Sequence, residues 1–376
     1  MAAHAQSHSH RGRWISFGLA LAVVAALATA GVLAARSHGS PSALASVKPK
    51  VVPLEVIGTN PVANATDVPS SAALTVDLSA PLASGSALPV LTPPVPGTWS
   101  AVSTTELQFQ SASPLVPGQH ETLTMPGGPN GMLSDQGQRL AATDTVSFTV
   151  APGSTLRLQQ LLAQLGYLPV DFTPATQPTS PQQEADPQQG TFAWRWPNLP
   201  ASLTSLWSAG TANVITQGAV MQFEAQNGLA TDGVAGPEVW TALLKAASTG
   251  TADPQPYDYV LVSKTLPENV TVYKDGAPVY NTPANTGVPA AATPDGTWPV
   301  YLRYQVTTMS GTNPDGSHYV DPGIPWVSYF NGGDALHGFI RPGYGYPQSD
   351  GCVEMPPANA AVVWPLTPIG TLVTVQ

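Results

Sequence analysis

Cysteine and charge are both scarce in this chain. Cys352 is the only cysteine among the 376 residues, so no intramolecular disulfide can form and hydrophobic cores must hold the fold. Charged residues make up 10% of the chain, and no acidic residue precedes Glu55. Residues 51–376 therefore carry eight basic against 23 acidic side chains, a net charge of −15. This balance excludes nucleic acid as an expected partner, because surfaces that bind nucleic acid are basic.

Glycine and proline, in contrast, are abundant, with 34 and 40 residues. Both residue types destabilise the interior of a helix. The composition therefore favours β-rich domains joined by extended segments over helical bundles. The length of the chain allows two or three such domains, so we expect a multidomain protein.

The N-terminal region carries the signals of membrane targeting. Residues 1–13 are polar, contain Arg11 and Arg13, and are expected in the cytoplasm. Residues 14–35 form an uncharged, mostly apolar run of 22 residues, which is long enough to span a bilayer. This run is predicted to be a transmembrane anchor in the cell membrane, with the following domains outside the cytoplasm. The alternative is a signal cleaved at its alanine-rich end, which would make the protein secreted. Residues 36–52 are predicted to be a flexible linker.

Residues 53–150 show the pattern of a small β domain. Short runs of alternating polarity occur at 73–78, 106–109 and 143–150, and turn residues separate them. Alternation with a period of two at this spacing predicts an antiparallel β-sandwich. The stretch Asn60–Pro69 resembles the opening of bacterial Ig-like modules. No catalytic cluster lies in this region, and a role as a spacer is expected.

Residues 154–247 show helical periodicity with an insertion. Leucines at helical spacing precede Gly166, and a second helical run follows at 216–229. The turn Asp-Gly-Val-Ala-Gly-Pro at 232–237 and the residues up to Leu243 come next. These elements resemble the three-helix type of peptidoglycan-binding domain, interrupted by an insertion at about 169–213. The resemblance implies peptidoglycan glycan strands as a partner.

The insertion contains four aromatic residues with two interpretations. Phe192, Trp194, Trp196 and Trp207 could stack on sugars if they were exposed. The alternative is that they pack the insertion onto its own domain, which is the commoner role of such residues. The apolar residues of the helices themselves are predicted to be core.

Residues 257–376 are predicted to form a second β-rich domain. Its candidate strands lie at 259–262, 269–273, 277–280, 300–304, 325–330 and 371–375. Lys274, Asp275 and Gly276 separate two of them and predict a hairpin. A loop that runs from His337 to Met355 lies before the last strand.

This loop holds a histidine and the single cysteine. His337 precedes Cys352 by fifteen residues, and the glycines and prolines between them exclude a long helix. We expect the loop to fold back and bring the cysteine to the histidine. A free thiol titrates near pH 8.5, and a neighbouring imidazole can take its proton and leave a strong nucleophile. The N–H groups of Gly351 and Cys352 are candidate oxyanion donors. The alternative is that the lone cysteine is buried and inert.

The segment resembles the active-site signature of the L,D-transpeptidase (YkuD-like) family. That signature has His-Gly, a gap, and then Ser/Thr-His-Gly-Cys, which correspond here to His337-Gly338 and Ser349-Asp350-Gly351-Cys352. Thr293-Pro294-Asp295-Gly296 resembles the segment that precedes the active-site strands in that family. The resemblance implies a mostly β fold, His337 as general base, Gly338 as the backbone group that orients it, and Cys352 as the nucleophile.

Two positions depart from the family pattern. Asp350 replaces a second histidine, and Glu354 stands where arginine or asparagine is common. Carboxylates near the nucleophile raise the thiol pKa and can also bind a cationic group of the substrate. These departures keep open the alternative of a non-catalytic scaffold that binds the wall.

Further residues are candidates for contact with the substrate. They are Tyr329, Arg341, Tyr344, Ser349 and Asp350. Tyr329 either borders the cleft or packs on its strand, and Arg341 either meets a substrate carboxylate or forms an ion pair. Ser349 is expected to orient the loop through local hydrogen bonds.

The predicted function is acyl transfer on the stem peptides of peptidoglycan. The resemblance implies a thioester on Cys352, release of D-Ala, and cross-linking or remodelling of the wall when an amine resolves the thioester. Water as the acceptor would make the enzyme an L,D-carboxypeptidase. No cofactor and no metal site are expected, because the histidines are isolated and only one cysteine is present.

Overall fold

A computed structural model of the protein describes residues 53–376. The predicted cytoplasmic segment, transmembrane anchor or signal, and linker, at 1–13, 14–35 and 36–52, lie outside these residues. No helix within the described part of the chain is both long and apolar enough to cross a membrane.

The first domain is a sandwich of two four-stranded sheets. Its strands are β1 (Val56–Asn60), β2 (Ala65–Val68), β3 (Leu74–Leu78), β4 (Val90–Thr92), β5 (Gly97–Ala101), β6 (Glu106–Ser111), β7 (His120–Met125) and β8 (Asp144–Val150). One sheet has the order β1-β3-β6-β5 and the other β2-β8-β7-β4.

Alternating residues of these strands build the core of the sandwich. Leu74, Val76 and Leu78 of β3 are buried while the residues between them are partly exposed, as the period of two predicts. The pair β2–β8 is parallel, which differs from the fully antiparallel sandwich expected from the sequence. The difference arises because β2 and β8 are distant in sequence, so no hairpin dictates their direction.

The second domain combines helices with a short hairpin. Its elements are α1 (Thr155–Gln164), β9 (Val170–Pro174), a 3₁₀ turn (Pro181–Ala185), β10 (Gly190–Trp194), α2 (Ala201–Thr204), α3 (Val214–Asn227) and α4 (Pro237–Thr249). The Ser154 side chain accepts a hydrogen bond from the Arg157 N–H and begins α1. Gly228 ends α3 in the left-handed region, at φ 67°.

The aromatic residues of the insertion pack against the protein. Phe192, Trp196 and Trp207 pack against the helical core, whereas Trp194 keeps about a third of its surface exposed. Trp196 also lies against Gly276 of the third domain. The packing interpretation is therefore confirmed for three of the four residues.

The third domain contains two β-sheets and a short helix. Its elements are β11 (Asp258–Ser263), β12 (Asn269–Lys274), β13 (Ala277–Pro283), a 3₁₀ turn (Pro289–Ala291), β14 (Gly296–Pro299), β15 (Leu302–Thr312), β16 (His318–Asn331), β17 (Asp334–Gly338), β18 (Val353–Met355), α5 (Pro357–Val363), a 3₁₀ turn (Trp364–Leu366) and β19 (Leu372–Val375). The five-stranded sheet has the order β13-β12-β11-β19-β14, and the four-stranded sheet has the order β15-β16-β17-β18.

The two sheets share a core and present one functional edge. Valines of β11, β12 and β19 pack with Phe330, Leu336 and Val353 of the four-stranded sheet. This core fixes β17 and β18, which pair in parallel with Leu336 opposite Val353. The residues that flank β17 and β18 form the candidate site.

Candidate active site

The candidate site lies where β17 and β18 run side by side. His337 is the penultimate residue of β17, and Cys352 immediately precedes β18. Because the two strands are parallel and adjacent, the loop between them brings both residues to one cleft of about 360 Å³. The expected return of the loop is therefore present in the structure.

A neighbouring segment holds this loop through backbone and amide groups. The backbones of Asn285 and Glu354 exchange two hydrogen bonds of 2.9 Å. The Asn285 side chain also accepts from the Gly345 N–H and donates to the Gly343 carbonyl. Glu268, buried below, accepts from the Thr286 N–H at 2.7 Å and from its hydroxyl at 2.8 Å. Sequence analysis missed these supporting residues, because nothing local to them indicates a role.

His337 is held as a neutral imidazole. Its side chain is 3% exposed, and Nδ1 lies 3.1 Å from the Gly338 carbonyl. A carbonyl oxygen only accepts, so Nδ1 carries the proton and Nε2 keeps its lone pair. Burial lowers the pKa of His337 below its ordinary value. The Gly338 carbonyl thus fixes the ring of His337, and a Cβ at Gly338 would lie 2.9 Å from Pro357 Cα.

Cys352 is held as a thiol. Burial raises its pKa to about 12, and the carboxylates of Asp334, Glu354 and Asp350 act in the same direction. Sγ lies 3.7 Å from the carbonyl of Gly333. Among the described residues, no hydrogen bond joins Sγ to the imidazole of His337. The resting site therefore pairs a neutral thiol with a neutral imidazole.

Ser349 and Gly351 shape the turn before Cys352. The Ser349 hydroxyl donates to the Cys352 carbonyl at 2.5 Å and accepts from the Gly351 N–H at 3.2 Å. Gly351 has φ 115°, and a Cβ there would lie 2.5 Å from Asp334 Oδ1, so the turn requires glycine. The Gly351 N–H must release Ser349 before it can bind an oxyanion. Ser349 itself is buried, and these hydrogen bonds join it to the turn.

Arg341 and Glu354 form a bidentate ion pair. Arg341 Nε lies 2.7 Å from Glu354 Oε2, and Nη2 lies 2.7 Å from Oε1. The side chain of Glu354 is 5% exposed. Of the two interpretations of Arg341, the ion pair is the one that the structure contains. Glu354 is correspondingly engaged, so the expectation that it binds a cationic group of the substrate does not fit this arrangement.

The two candidate tyrosines lie outside the set of residues that line the cleft. The Tyr344 hydroxyl donates to the Phe339 carbonyl at 2.5 Å and accepts from the Arg341 N–H at 3.1 Å. Tyr329 packs between the rings of Tyr301 and Tyr304. Both tyrosines therefore support the walls of the cleft in this conformation.

The opposite wall of the cleft comes from the long hairpin of β15 and β16. Met309, Asn313, Tyr319, Asp321 and Ile324 line it. Sequence analysis predicted strands at both ends of this hairpin but assigned no functional residue to it. The turn residues Asn-Pro-Asp-Gly at 313–316 are a local signal of its tip.

The charge of the cleft is negative. Asp321 and Asp350 face the cleft from two sides, and neither carboxylate has an ion-pair or hydrogen-bond partner in residues 53–376. Arg341 is neutralised by Glu354. Such a surface attracts a cationic group and repels an anionic one.

The domains match three known families. Residues 257–375 match the L,D-transpeptidase catalytic domain. The chain carries an L,D-transpeptidase catalytic domain. Residues 50–150 match the bacterial Ig-like domain, and residues 208–243 match a peptidoglycan binding domain. The protein is thus an enzyme of the L,D-transpeptidase class, with domains directed to peptidoglycan and a location that faces the cell wall.

Solved structures of L,D-transpeptidases are also similar to the chain. An L,D-transpeptidase from Mycobacterium smegmatis has 13% identity and a TM-score of 0.29, over 86% of this chain and 100% of that chain. The catalytic domain of the E. faecium L,D-transpeptidase has 28% identity and a TM-score of 0.29, over 31% and 95%. L,D-transpeptidase 3 from Mycobacterium tuberculosis, in complex with a faropenem-derived adduct, has 12% identity and a TM-score of 0.30, over 85% and 97%. The assignment follows from the match of residues 257–375 to the catalytic domain. A search of curated proteins finds no match.

Proposed function

We propose that this L,D-transpeptidase cross-links or remodels peptidoglycan stem peptides through a thioester on Cys352. The observation that carries the proposal is the placement of His337 and Cys352 in one cleft, with Nδ1 of His337 held by the Gly338 carbonyl. This arrangement leaves Nε2 as the only imidazole atom that can accept the thiol proton.

The proposed acylation begins with a neutral thiol. As Cys352 Sγ attacks the carbonyl carbon of the diamino acid in a tetrapeptide stem, Nε2 of His337 takes the thiol proton. The oxygen of the tetrahedral intermediate requires backbone donors, for which the N–H groups of Gly351 and Cys352 are our candidates. The bond from that carbon to D-Ala then breaks, and the amine leaves with the proton from Nε2.

The proposed deacylation repeats these steps with a new nucleophile. The amine of a second stem attacks the thioester carbon and loses a proton to Nε2. The bond to Sγ breaks, and the thiolate recovers its proton from the imidazole. Asp321 and Asp350 favour this acceptor, since they attract its ammonium form to the cleft, where loss of one proton to solvent gives the amine that attacks. Water in place of the amine would give L,D-carboxypeptidase activity.

The other candidate residues and the domain boundaries also belong to this proposal. Arg341 and Ser349 line the cleft and hold its shape, and Tyr329 and Tyr344 support its walls. We also propose the domain boundaries 53–150, 154–247 and 257–376, and an anchor at 14–35 that places the catalytic domain outside the cytoplasm. Tethering of this kind raises the concentration of the enzyme at its polymer.

The test is a product analysis with the full chain. The enzyme is incubated with disaccharide-tetrapeptide, and products are followed by mass spectrometry beside the Cys352→Ala and Cys352→Ser variants. We expect a cross-linked dimer, free D-Ala and a thioester mass on Cys352, all absent from Cys352→Ala. Formation of a tripeptide without dimer would show that the enzyme acts as an L,D-carboxypeptidase and not as a transpeptidase. Turnover that persists in Cys352→Ala would overturn the role of the cysteine.

A further inference from the structure

A second and larger cleft lies away from the catalytic pair, between the first and second domains. Its volume is about 840 Å³, which falls within the range of roughly 300–1,000 Å³ typical of ligand sites. Three segments line it: the β4–β7 side of the sandwich, the insertion near Pro181, and the last turns of α4. We call it the interdomain cleft.

A buried carboxylate without a partner lies in the lining of this cleft. Glu121 on β7 is 1% exposed, and Oε2 has no hydrogen-bond partner in residues 53–376. Burial alone raises the pKa of Glu121 to about 7, so no cation within the described structure compensates it. A buried carboxyl group in this state is costly unless a donor is supplied.

The walls of the cleft are suited to an extended peptide. Prolines from the sandwich and from the insertion, among them Pro94, Pro114 and Pro181, provide rigid apolar surface. Lys245 on α4 is exposed at the cleft and has no ion-pair partner among the described residues. The second acidic residue, Glu184, is already paired with the buried Arg157 at 3.4 Å. The groups of the cleft that lack a partner are therefore one buried carboxyl group, Glu121, and one exposed cation, Lys245.

We propose that the interdomain cleft binds a stem peptide through its free side-chain ammonium group, which pairs with Glu121. A carboxylate of the same peptide faces Lys245. This proposal rests on the proposed function for the identity of the peptide. It rests on the structure for the chemistry of recognition.

The consequence is a site that distinguishes the two states of the polymer. The side-chain amine of the diamino acid is free in an uncross-linked stem and becomes an amide when the stem is used as an acceptor. An amide carries no charge and fills the space of the ammonium differently, so Glu121 would reject it. The cleft would therefore hold the enzyme at uncross-linked wall, where acceptors remain.

The experiment measures binding without turnover. The full chain carrying Cys352→Ala is titrated by calorimetry with the N-acetylated tetrapeptide L-Ala-D-Glu-L-Lys-D-Ala, and with the same peptide acetylated at the lysine side chain. We expect Glu121→Gln to weaken binding of the free amine about tenfold or more. We expect acetylation of the lysine side chain to weaken binding to the parent by a similar factor. The acetylated peptide should bind the parent and the Glu121→Gln variant with equal affinity, or the variant more tightly.

Two controls separate this site from the rest of the molecule. Glu106→Gln, on β6 outside the interdomain cleft, should leave binding unchanged. Ser248→Trp, which places a large ring in the cleft, should abolish the same component of binding as Glu121→Gln. Glu121→Gln replaces a buried carboxyl group that has no partner and is expected to fold at least as stably as the parent, so a loss of binding is not a loss of fold.

The outcomes distinguish the inference from the proposed function. Equal binding of the free amine by the parent and Glu121→Gln, or equal binding of the two peptides by the parent, would overturn the inference. Neither result would affect transpeptidation through Cys352. Conversely, binding that depends on Glu121 would stand even if product analysis showed only hydrolysis.

Discussion

Two residues at the active site are held in uncharged forms by burial. The structure surrounds Cys352 with carboxylates and encloses His337, so a thiolate–imidazolium pair is disfavoured at both partners. Proton transfer must then accompany the attack on the substrate. Hydrogen bonds of this kind are often long in a free enzyme and tighten when the substrate binds.

This arrangement predicts slow alkylation of the resting enzyme. With a pKa of about 12, Cys352 has about a thousandfold less thiolate near pH 7.5 than a free cysteine. The rate of reaction with iodoacetamide should rise with pH up to the limit of stability of the fold. Because Cys352 is the only cysteine, mass spectrometry of the labelled chain reports on this residue alone.

The His337→Ala variant is the control for this measurement. Without a preformed ion pair, removal of the imidazole should change the alkylation rate little at neutral pH. A rate that is already at its plateau between pH 5 and 7 in the parent, and falls in His337→Ala, would contradict the neutral pair.

At the scale of elements, the site depends on how a loop is fastened to a strand. The Arg341–Glu354 pair joins the loop after β17 to β18, two residues from Cys352. Asn285 and Thr286 hold the same loop from the other side. The ion pair therefore positions the turn that carries Cys352. It also neutralises the guanidinium of Arg341, which would otherwise present a positive charge to the substrate.

We predict that Arg341→Ala destabilises the enzyme strongly. It leaves the buried Glu354 carboxylate without its partner, and breaking a buried pair in this way costs on the order of 3 kcal/mol. Replacement of both residues, Arg341→Met with Glu354→Leu, should recover most of this loss. Unfolding in urea measures both variants.

A kinetic readout separates the structural role from a role in substrate binding. If Arg341 acts only on the loop, the double variant should keep a KM close to that of the parent while kcat falls. A large rise of KM with kcat unchanged would instead show that the guanidinium binds substrate directly.

At the scale of the whole molecule, each domain buries one carboxyl group without full compensation. Glu121 lies in the sandwich, Glu224 in the helical domain and Asp258 on β11 of the catalytic domain. Each has a buried side-chain oxygen that lacks a hydrogen-bond partner in the described residues. Burial is the largest cause that raises the pKa of each to about 7.

These groups predict that stability falls between pH 4.5 and 7.5. A carboxyl group with a raised pKa holds its proton in the folded state where the unfolded chain has lost it. Its contribution is complete below the unfolded pKa and disappears as pH rises through about 7. The lowered pKa of His337 changes stability in the opposite direction. The three carboxyl groups together outweigh this single histidine.

Denaturant unfolding between pH 4.5 and 7.5 measures how the free energy of unfolding changes with pH. Glu121→Gln and Glu224→Gln should each flatten this slope and raise stability at pH 7.5 by about 1–2 kcal/mol. Glu106→Gln is the matched control and should leave the slope unchanged. Stability that rises steadily from pH 4.5 to 7.5 would contradict the burial argument.

Much of this organisation follows from the sequence alone. Alternation with a period of two located β3, β6, β8 and β12 to within a few residues, because one buried face imposes that period locally. The spacing of His337, Gly338 and Cys352 predicted that these residues share one site, because a single loop connects β17 to Cys352 and the resemblance covers that loop.

Only the tertiary structure decided which groups face the cleft and in what charge state. The pairing of Arg341 with Glu354, the acidic wall at Asp321 and the support from Asn285 all join segments that are distant in sequence. The burial of Glu121 depends likewise on the packing of the sandwich, since Glu121 shares the buried face of β7 with Leu123 and Met125. Local pattern determines a strand or a reactive residue, whereas burial and pKa depend on neighbours that folding alone brings together.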